Sequence, residues 1–400
     1  MTTTARAATL ADPSAALAAA DALVPGLAER AVAHDAAGAF PVADFDQLRA
    51  AGLLGLMVPA RLGGPGAGFA DYATVAMRLA AGNGATALIF NMHASVTGAL
   101  AQTPDELARA LGVPETYFAM RDRVLGAAAD GALYAVAMSE RGTGSRLSAI
   151  STTYEPVPDG FHIRGEKTFV SGAGFADAYL VAAKRTGSEP PAVSHFLVPA
   201  GEGVTVKQTW DSLGMRATGS QDLRIDLVAA PDTLLGGLEG LTLLLAQVMP
   251  QWLVASYAAV YVGVAQSAVD AAVTHVTERG LGRLPLVRAR IGRADAAVAA
   301  ARLAVLEAAR RVDSAPGEPD TNTWVWRAKL LAGETAMEVS ASMLEAAGTS
   351  ATRRGQPLER IFRDARCGSL QPATSDVCAD WLGVAALGRD PENDAEVPRW

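Results

Sequence analysis

Thr152-Thr153-Tyr154-Glu155-Pro156-Val157-Pro158-Asp159-Gly160-Phe161-His162-Ile163-Arg164-Gly165-Glu166-Lys167-Thr168-Phe169-Val170 reads as two strands joined at a hairpin turn. Aromatic and β-branched residues approach and leave an Asp159-Gly160 pair, and such a pair favours a tight reversal. Similar short runs at residues 134–138, 178–183, 194–198 and 223–227 extend this pattern into a β-domain in the middle third of the chain. Outward from it the apolar spacing becomes helical. Residues 14–34, 42–51 and 71–101 predict helices before the sheet, and Thr103-Pro104-Asp105-Glu106 predicts a further start with Thr103 as cap. After the sheet, residues 241–278, 286–312, 322–347 and 375–387 predict four helices packed as a bundle. The expected class is α+β: an N-terminal helical domain (1–125), a middle barrel-like β-domain (126–235) and a C-terminal helical bundle (236–400).

Composition bounds the function. Half of the 400 residues are apolar and 19% are charged, enough for a large core in two or three subdomains. Acidic residues outnumber basic ones 42 to 34, and the basic ones are scattered, so nucleic acid is not an expected partner. Cys367 and Cys378 are the only thiols, which allows neither a disulfide framework nor a zinc site of several cysteines; a reducing cytoplasm is the expected setting. The start of the chain, residues 1–17, lacks the continuous apolar core of a secretory signal and reads as a frayed tail. Residues 240–269 carry no charge, but Gln247, Pro250, Gln251, Ser256 and Gln266 interrupt the run and no basic cluster flanks it. A buried bundle helix is favoured there over a membrane span.

Four motifs give this layout a family resemblance. Ala137-Met138-Ser139-Glu140-Arg141-Gly142-Thr143-Gly144-Ser145 and Gly165-Glu166-Lys167-Thr168-Phe169-Val170-Ser171-Gly172-Ala173 lie in the β zone. Leu213-Gly214-Met215-Arg216-Ala217-Thr218-Gly219-Ser220 and Leu358-Glu359-Arg360-Ile361-Phe362-Arg363-Asp364-Ala365-Arg366 follow in order. Together they resemble the signatures of the acyl-CoA dehydrogenase superfamily over residues 40–388. The resemblance implies an acyl-CoA dehydrogenase-like flavoprotein oxidoreductase. By the family pattern Met138, Ser139 and Ser145 would run along the flavin edge, Phe169 would lie against the ring, and the Ser171 hydroxyl would face N5. FAD is expected ahead of FMN, with Arg279 and Gly348 as remnants of the segments that bind its adenosine diphosphate. Taken alone, Phe169 would be a core residue of an alternating strand, Ser171 a turn residue and Arg279 a cation at a helix end. The family also implies a homotetramer or dimer.

The resemblance also exposes a departure. Removing the α-proton of an acyl thioester requires a positioned carboxylate. At the family's C-terminal base position the chain has Gln371-Pro372; at the alternative base position on the first bundle helix it has Leu253, with Val254 where the family's neighbouring substrate-binding Arg would be. Asp376 and Glu345 are candidate displaced bases. The C-terminal segment resembles that of the family's flavin monooxygenases, with Gln371 in place of their usual His, and His93 on the long N-terminal helix occupies a place where they commonly have a His facing the flavin. The reading is an oxygen-using enzyme acting on a small molecule or acyl thioester, with His93, Ser171, Gln371 and Asp376 as catalytic candidates and a flavin reductase as a candidate electron donor. The alternatives are a dehydrogenase with a displaced base and a non-catalytic scaffold.

Overall fold

The computed structural model describes residues 8–390 apart from Leu253, with the side chain of Gln247 also outside the description. Residues 1–7 of the expected tail therefore lie outside the described residues. From Ala8 onward the chain is held: Ala8 N donates to Ala50 O, and helix α1 (Pro13–Ala37) begins at Asp12, whose carboxylate accepts the Ala15 N–H.

The N-terminal helices continue with α2 (Val42–Ala50), α3 (Phe69–Gly82), α4 (Gly84–Gln102), α5 (Asp105–Ala110) and α6 (Glu115–Ala129). The single helix expected at 71–101 is two. Asn83 leaves the helical conformation, its Oδ1 accepts from Ala85 N, and its Nδ2 donates to the buried Asp44 carboxylate, which also binds Thr86 and Arg30. Apolar spacing continues across this junction because both helices face the same core. Thr103 does not cap α5; its hydroxyl turns back to Ala99 O.

The β-domain comprises β1 (Tyr134–Ala137), β2 (Thr153–Val157), β3 (Gly160–Val170), β4 (Ala178–Arg185), β5 (Val193–Pro199), β6 (Val204–Lys207) and β7 (Gln221–Ala229). They form one sheet ordered β1-β4-β2-β3-β7-β6, with β5 paired to β4. The hairpin turn falls on Pro158-Asp159, with Gly160 already in β3. Tyr154 packs edge to face against Phe161 and Phe196, whose own rings are tilted against each other at 5.2 Å. Strand β6 is not legible from sequence: Val204-Thr205-Val206-Lys207 alternates, but four residues are at the lower limit of a recognisable run.

The apolar run expected as one helix at 241–278 divides into α7 (Leu241–Val248), a 3₁₀ turn (Pro250–Trp252) and α8 (Ala255–Glu278), with the break at Met249-Pro250. The apolar window of the segment Pro250–Glu278 is 88% buried inside the protein, which accounts for its hydropathy. Helices α9 (Pro285–Ser314) and α10 (Pro319–Ala347) pack with α8; α11 (Pro357–Arg366) and α12 (Ser375–Ala386) lie against α10, and α3 lies against α8 and α9.

Candidate active site

A cavity of about 460 Å³ opens where α4, α5, α7, the β1 and β4 strands and the turn before α8 meet. Met138, Ser139, Ser145, Thr168 and Phe169 line its β-domain side, and Leu100, Leu111, Tyr117, Leu245 and Trp252 belong to its apolar walls. Gly98 makes the α4 wall possible: a Cβ there would lie 2.1 Å from the Trp252 ring.

Strand β3 delivers Phe169 to this cavity through a bulge. Pairing with β7 slips between Lys167 and Val170, and Phe169 takes φ +58°, a conformation that a bulky side chain avoids. The consequence is a ring 64% exposed in a strand whose other apolar residues face the core, set edge-on to Trp210 at 6.0 Å. Such strain persists where surrounding structure or function holds it. Phe169→Gly is therefore expected to raise the unfolding free energy of the flavin-free protein by about 1–2 kcal/mol while weakening flavin binding. Urea unfolding and flavin titration read the two effects separately.

The adjoining strand end is fixed by a buried ion pair that sequence reading did not single out. Lys167 Nζ donates to Glu140 Oε1 (2.8 Å) and to Met138 O (3.2 Å). Glu140 also accepts from Ser151 N, Ser151 Oγ and Thr152 N. Burial alone would raise the Glu140 carboxyl, but the Lys167 charge and these donors outweigh it and hold the group down at about 2. The chain between Met138 and Ser145 is thereby locked in place beside Phe169. Thr168 is anchored likewise, its hydroxyl donating to Asp222, which pairs with Arg141.

Several expected site residues stand elsewhere. His93 is 1% exposed; Tyr134 N–H donates to its Nδ1 (3.1 Å), so Nε2 carries the ring proton and donates to Leu54 O (2.7 Å). Burial pushes the imidazole down to about 4, and the ring is not among the lining residues. It stands in the core, joining α4 to β1, rather than in the cavity lining. Replacing it by alanine is expected to cost about 1–3 kcal/mol for each backbone group left unpaired, without changing the visible spectrum of bound flavin. The Ser171 hydroxyl is buried against Ser220 Oγ (2.9 Å), itself 2.6 Å from Thr218 Oγ1, and does not line the cavity. Asp376 is exposed in the first turn of α12, and Glu345 pairs with Arg290 on an exposed face of α10; neither lines the cavity. Gln371 accepts Lys329 Nζ through its backbone oxygen, and only its neighbour Pro372 reaches the cavity. Arg279 caps α8 and Gly348 caps α10 at one end of the helical domain, joined there by His275 and Ser350, away from the cavity.

The structure adds His195 and Asp313 to the lining. Burial pushes the His195 imidazole down to about 3, so it is neutral at physiological pH. Asp313 receives Phe69 N (2.6 Å) and Ala70 N (2.9 Å) at the start of α3, as well as Gln102 Nε2. Strand alternation could have flagged His195, but which sheet face meets α7 is a tertiary outcome.

An isoalloxazine ring needs a flat apolar contact and polar atoms along its edge. The protruding Phe169 ring beside the Ser139 and Ser145 hydroxyls fits that requirement. A three-part fold with such a cavity defines a flavin-dependent oxidoreductase. Residues 16–111, 135–228 and 255–374 match the N-terminal, middle and C-terminal domains of acyl-CoA dehydrogenase, and the chain belongs to that family. It is similar to L-evernosamine nitrososynthase of Micromonospora sp., 32% identical over 393 residues that cover 93% of this chain and 90% of the relative. Human mitochondrial short-chain specific acyl-CoA dehydrogenase is 28% identical over 346 residues, covering 84% of this chain and 81% of the relative. Among solved structures, FMN-bound TdsC of Paenibacillus sp. A11-2, a dibenzothiophene monooxygenase, superposes with a TM-score of 0.80 at 25% identity, covering 93% of this chain and 97% of that one.

Proposed function

We propose that this protein is an oxygen-using flavin monooxygenase acting on a small molecule. One observation carries the reading: among the described residues lining the cavity the only carboxylate is Asp313, and it is occupied in capping α3. An α,β-dehydrogenation would leave the substrate's α-proton without an acceptor. Gln371 and Pro372 are neutral at the C-terminal base position, Val254 is apolar and buried, and Leu253 lies outside the described residues. Asp376 and Glu345 do not reach the cavity, which disfavours a displaced base.

A bound flavin, once reduced, supplies the electrons for activating oxygen. Phe169 would give the ring its apolar contact, while Met138, Ser139 and Ser145 would present polar edge atoms held by the Glu140–Lys167 pair. The helical walls would exclude water and orient the substrate against the ring. Residues 126–235 thus hold the cofactor, and residues 1–125 and 236–400 supply most of the substrate walls. FAD is the cofactor of this reading, with FMN, the flavin of TdsC, as its alternative; mass spectrometry of the released flavin distinguishes them. A separate flavin reductase, a homotetrameric or dimeric assembly and a cytoplasmic setting complete it.

The test mixes oxidised holoenzyme anaerobically with an acyl-CoA panel, then supplies reduced flavin and labelled oxygen with candidate substrates. The expected results are no flavin bleaching by acyl-CoA and label in the product. A missing general base typically costs ~10²–10⁴-fold in rate. Brisk anaerobic bleaching at rates normal for a dehydrogenase would overturn the assignment.

A further inference from the structure

We infer that the substrate is a neutral aromatic ring compound and that helix α7 is the wall that selects it. The inference rests on the flavin monooxygenase reading and concerns the same cavity.

Charge is the first argument. Among the described residues the lining contains no Lys, no Arg and no Glu; its one acid is Asp313, engaged by the start of α3, and its one imidazole, His195, is neutral. Tyr257 is a phenol, uncharged at physiological pH in any case, and burial pushes it further up, to about 12. A diphosphate or carboxylate bound here would be desolvated without a cation to compensate it, and an ammonium without a free carboxylate. A substrate whose reacting part is neutral incurs neither penalty.

The second argument is the chemistry of the walls. Tyr117, Trp252 and Tyr257 present aromatic surface, and Met92 and Met249 add polarizable sulfur. Aromatic rings gain directional edge and face contacts from such partners, and thioethers gain from rings in the same way, whereas a flexible acyl chain gains burial alone. Trp252 is itself braced, its ring packed against Phe69 and Tyr72 and over Gly98, so this wall is rigid before a ligand arrives.

Helix α7 contributes a further wall. Leu241 and Leu245 of α7, and Met249 just beyond its end, line the cavity, while Leu244 and Val248 are exposed and do not. The helix is held at its start by Gly240 N donating to Ser194 Oγ. Leu245, half-buried on the wall and mid-helix, is the position at which the selection is most open to change.

The experiment titrates oxidised, flavin-loaded enzyme under nitrogen with indole, quinoline and naphthalene, and separately with dTDP-glucose and butyryl-CoA, following the visible spectrum of the bound flavin. The aromatic probes are expected to bind at least about tenfold tighter than the other two. Leu245→Asp should weaken them by about tenfold or more by placing an unpaired charge on the wall, with flavin content unchanged. If circular dichroism finds that variant unfolded, Leu245→Ala decides, with an expected loss of several-fold. Tighter binding of dTDP-glucose or butyryl-CoA, or unaltered aromatic binding by the folded variant, would overturn the inference. Aromatic binding without labelled oxygen in product would sink the oxygenase reading and leave this one standing; label in a nucleotide-linked product would do the reverse.

Discussion

Glu140→Ala is expected to destabilise the protein by about 3–5 kcal/mol, because it leaves the buried Lys167 ammonium without its counter-charge. That is a large share of the marginal stability of an ordinary domain. Ser151 N and Thr152 N lose their acceptor at the same time, and the wall from Met138 to Ser145 loses its anchor. Flavin occupancy should therefore fall with stability. A double-mutant cycle separates the charge from the hydrogen bonds: Glu140→Gln with Lys167→Met removes both charges while retaining an oxygen acceptor, and should recover most of the loss. The pH dependence has a definite sign. Glu140 is held at about 2 in the folded protein against an ordinary 4.5, so its contribution is fully present above about 4.5 and is lost as pH falls toward 2. His93, lowered from 6.5 to about 4 by burial, acts in the same direction across that higher window. Chemical denaturation at successive pH values should show the acid loss shrinking in Glu140→Gln.

Arg363→Met is expected to cost a similar 3–5 kcal/mol or so at the junction of two of the family motifs. Arg363 grips Asp35 through both terminal nitrogens (3.0 and 2.6 Å), pairs with Glu359 and donates to Leu213 O. Its neighbour Asp364 accepts Met215 N at 2.6 Å, and a Cβ on Gly214 would lie 2.1 Å from Arg363 O. Removing the guanidinium leaves two largely buried carboxylates facing each other and detaches α1 and the 213–216 loop from α11. Limited proteolysis should find the new cleavage in that loop, and thermal unfolding should occur well below that of the parent protein. Arg363→Lys should rescue only in part, since a single ammonium cannot reproduce the forked contact.

These two clusters mark the limit of what local pattern conveys. The motif around Arg363 was visible, but its use as a staple was not, because the partner Asp35 lies 328 positions away. Glu140 and Lys167 likewise sit in two visible motifs whose pairing depends on how the strand ends meet. His93 and Ser171 are visible as residue types in plausible places; that both are engaged with neighbours inside the core follows from contacts sequence does not carry.

Sequence by itself determined the order of helices, strands and helices, the four motifs, the family and the neutral residues where its C-terminal base would stand. Each of these is carried by short-range periodicity, turn chemistry or residue identity at a motif position. Tertiary structure alone decided that Asn83 and Met249-Pro250 divide continuous apolar runs, that a bulge turns Phe169 into the cavity, and that the cavity walls are almost free of charge. It also decided that Asp313, 244 positions from Phe69, accepts the N–H groups at the start of α3. The physical reason is that a side chain's chemistry is fixed by its partners and its solvation, and those arise from contacts between segments far apart in the chain.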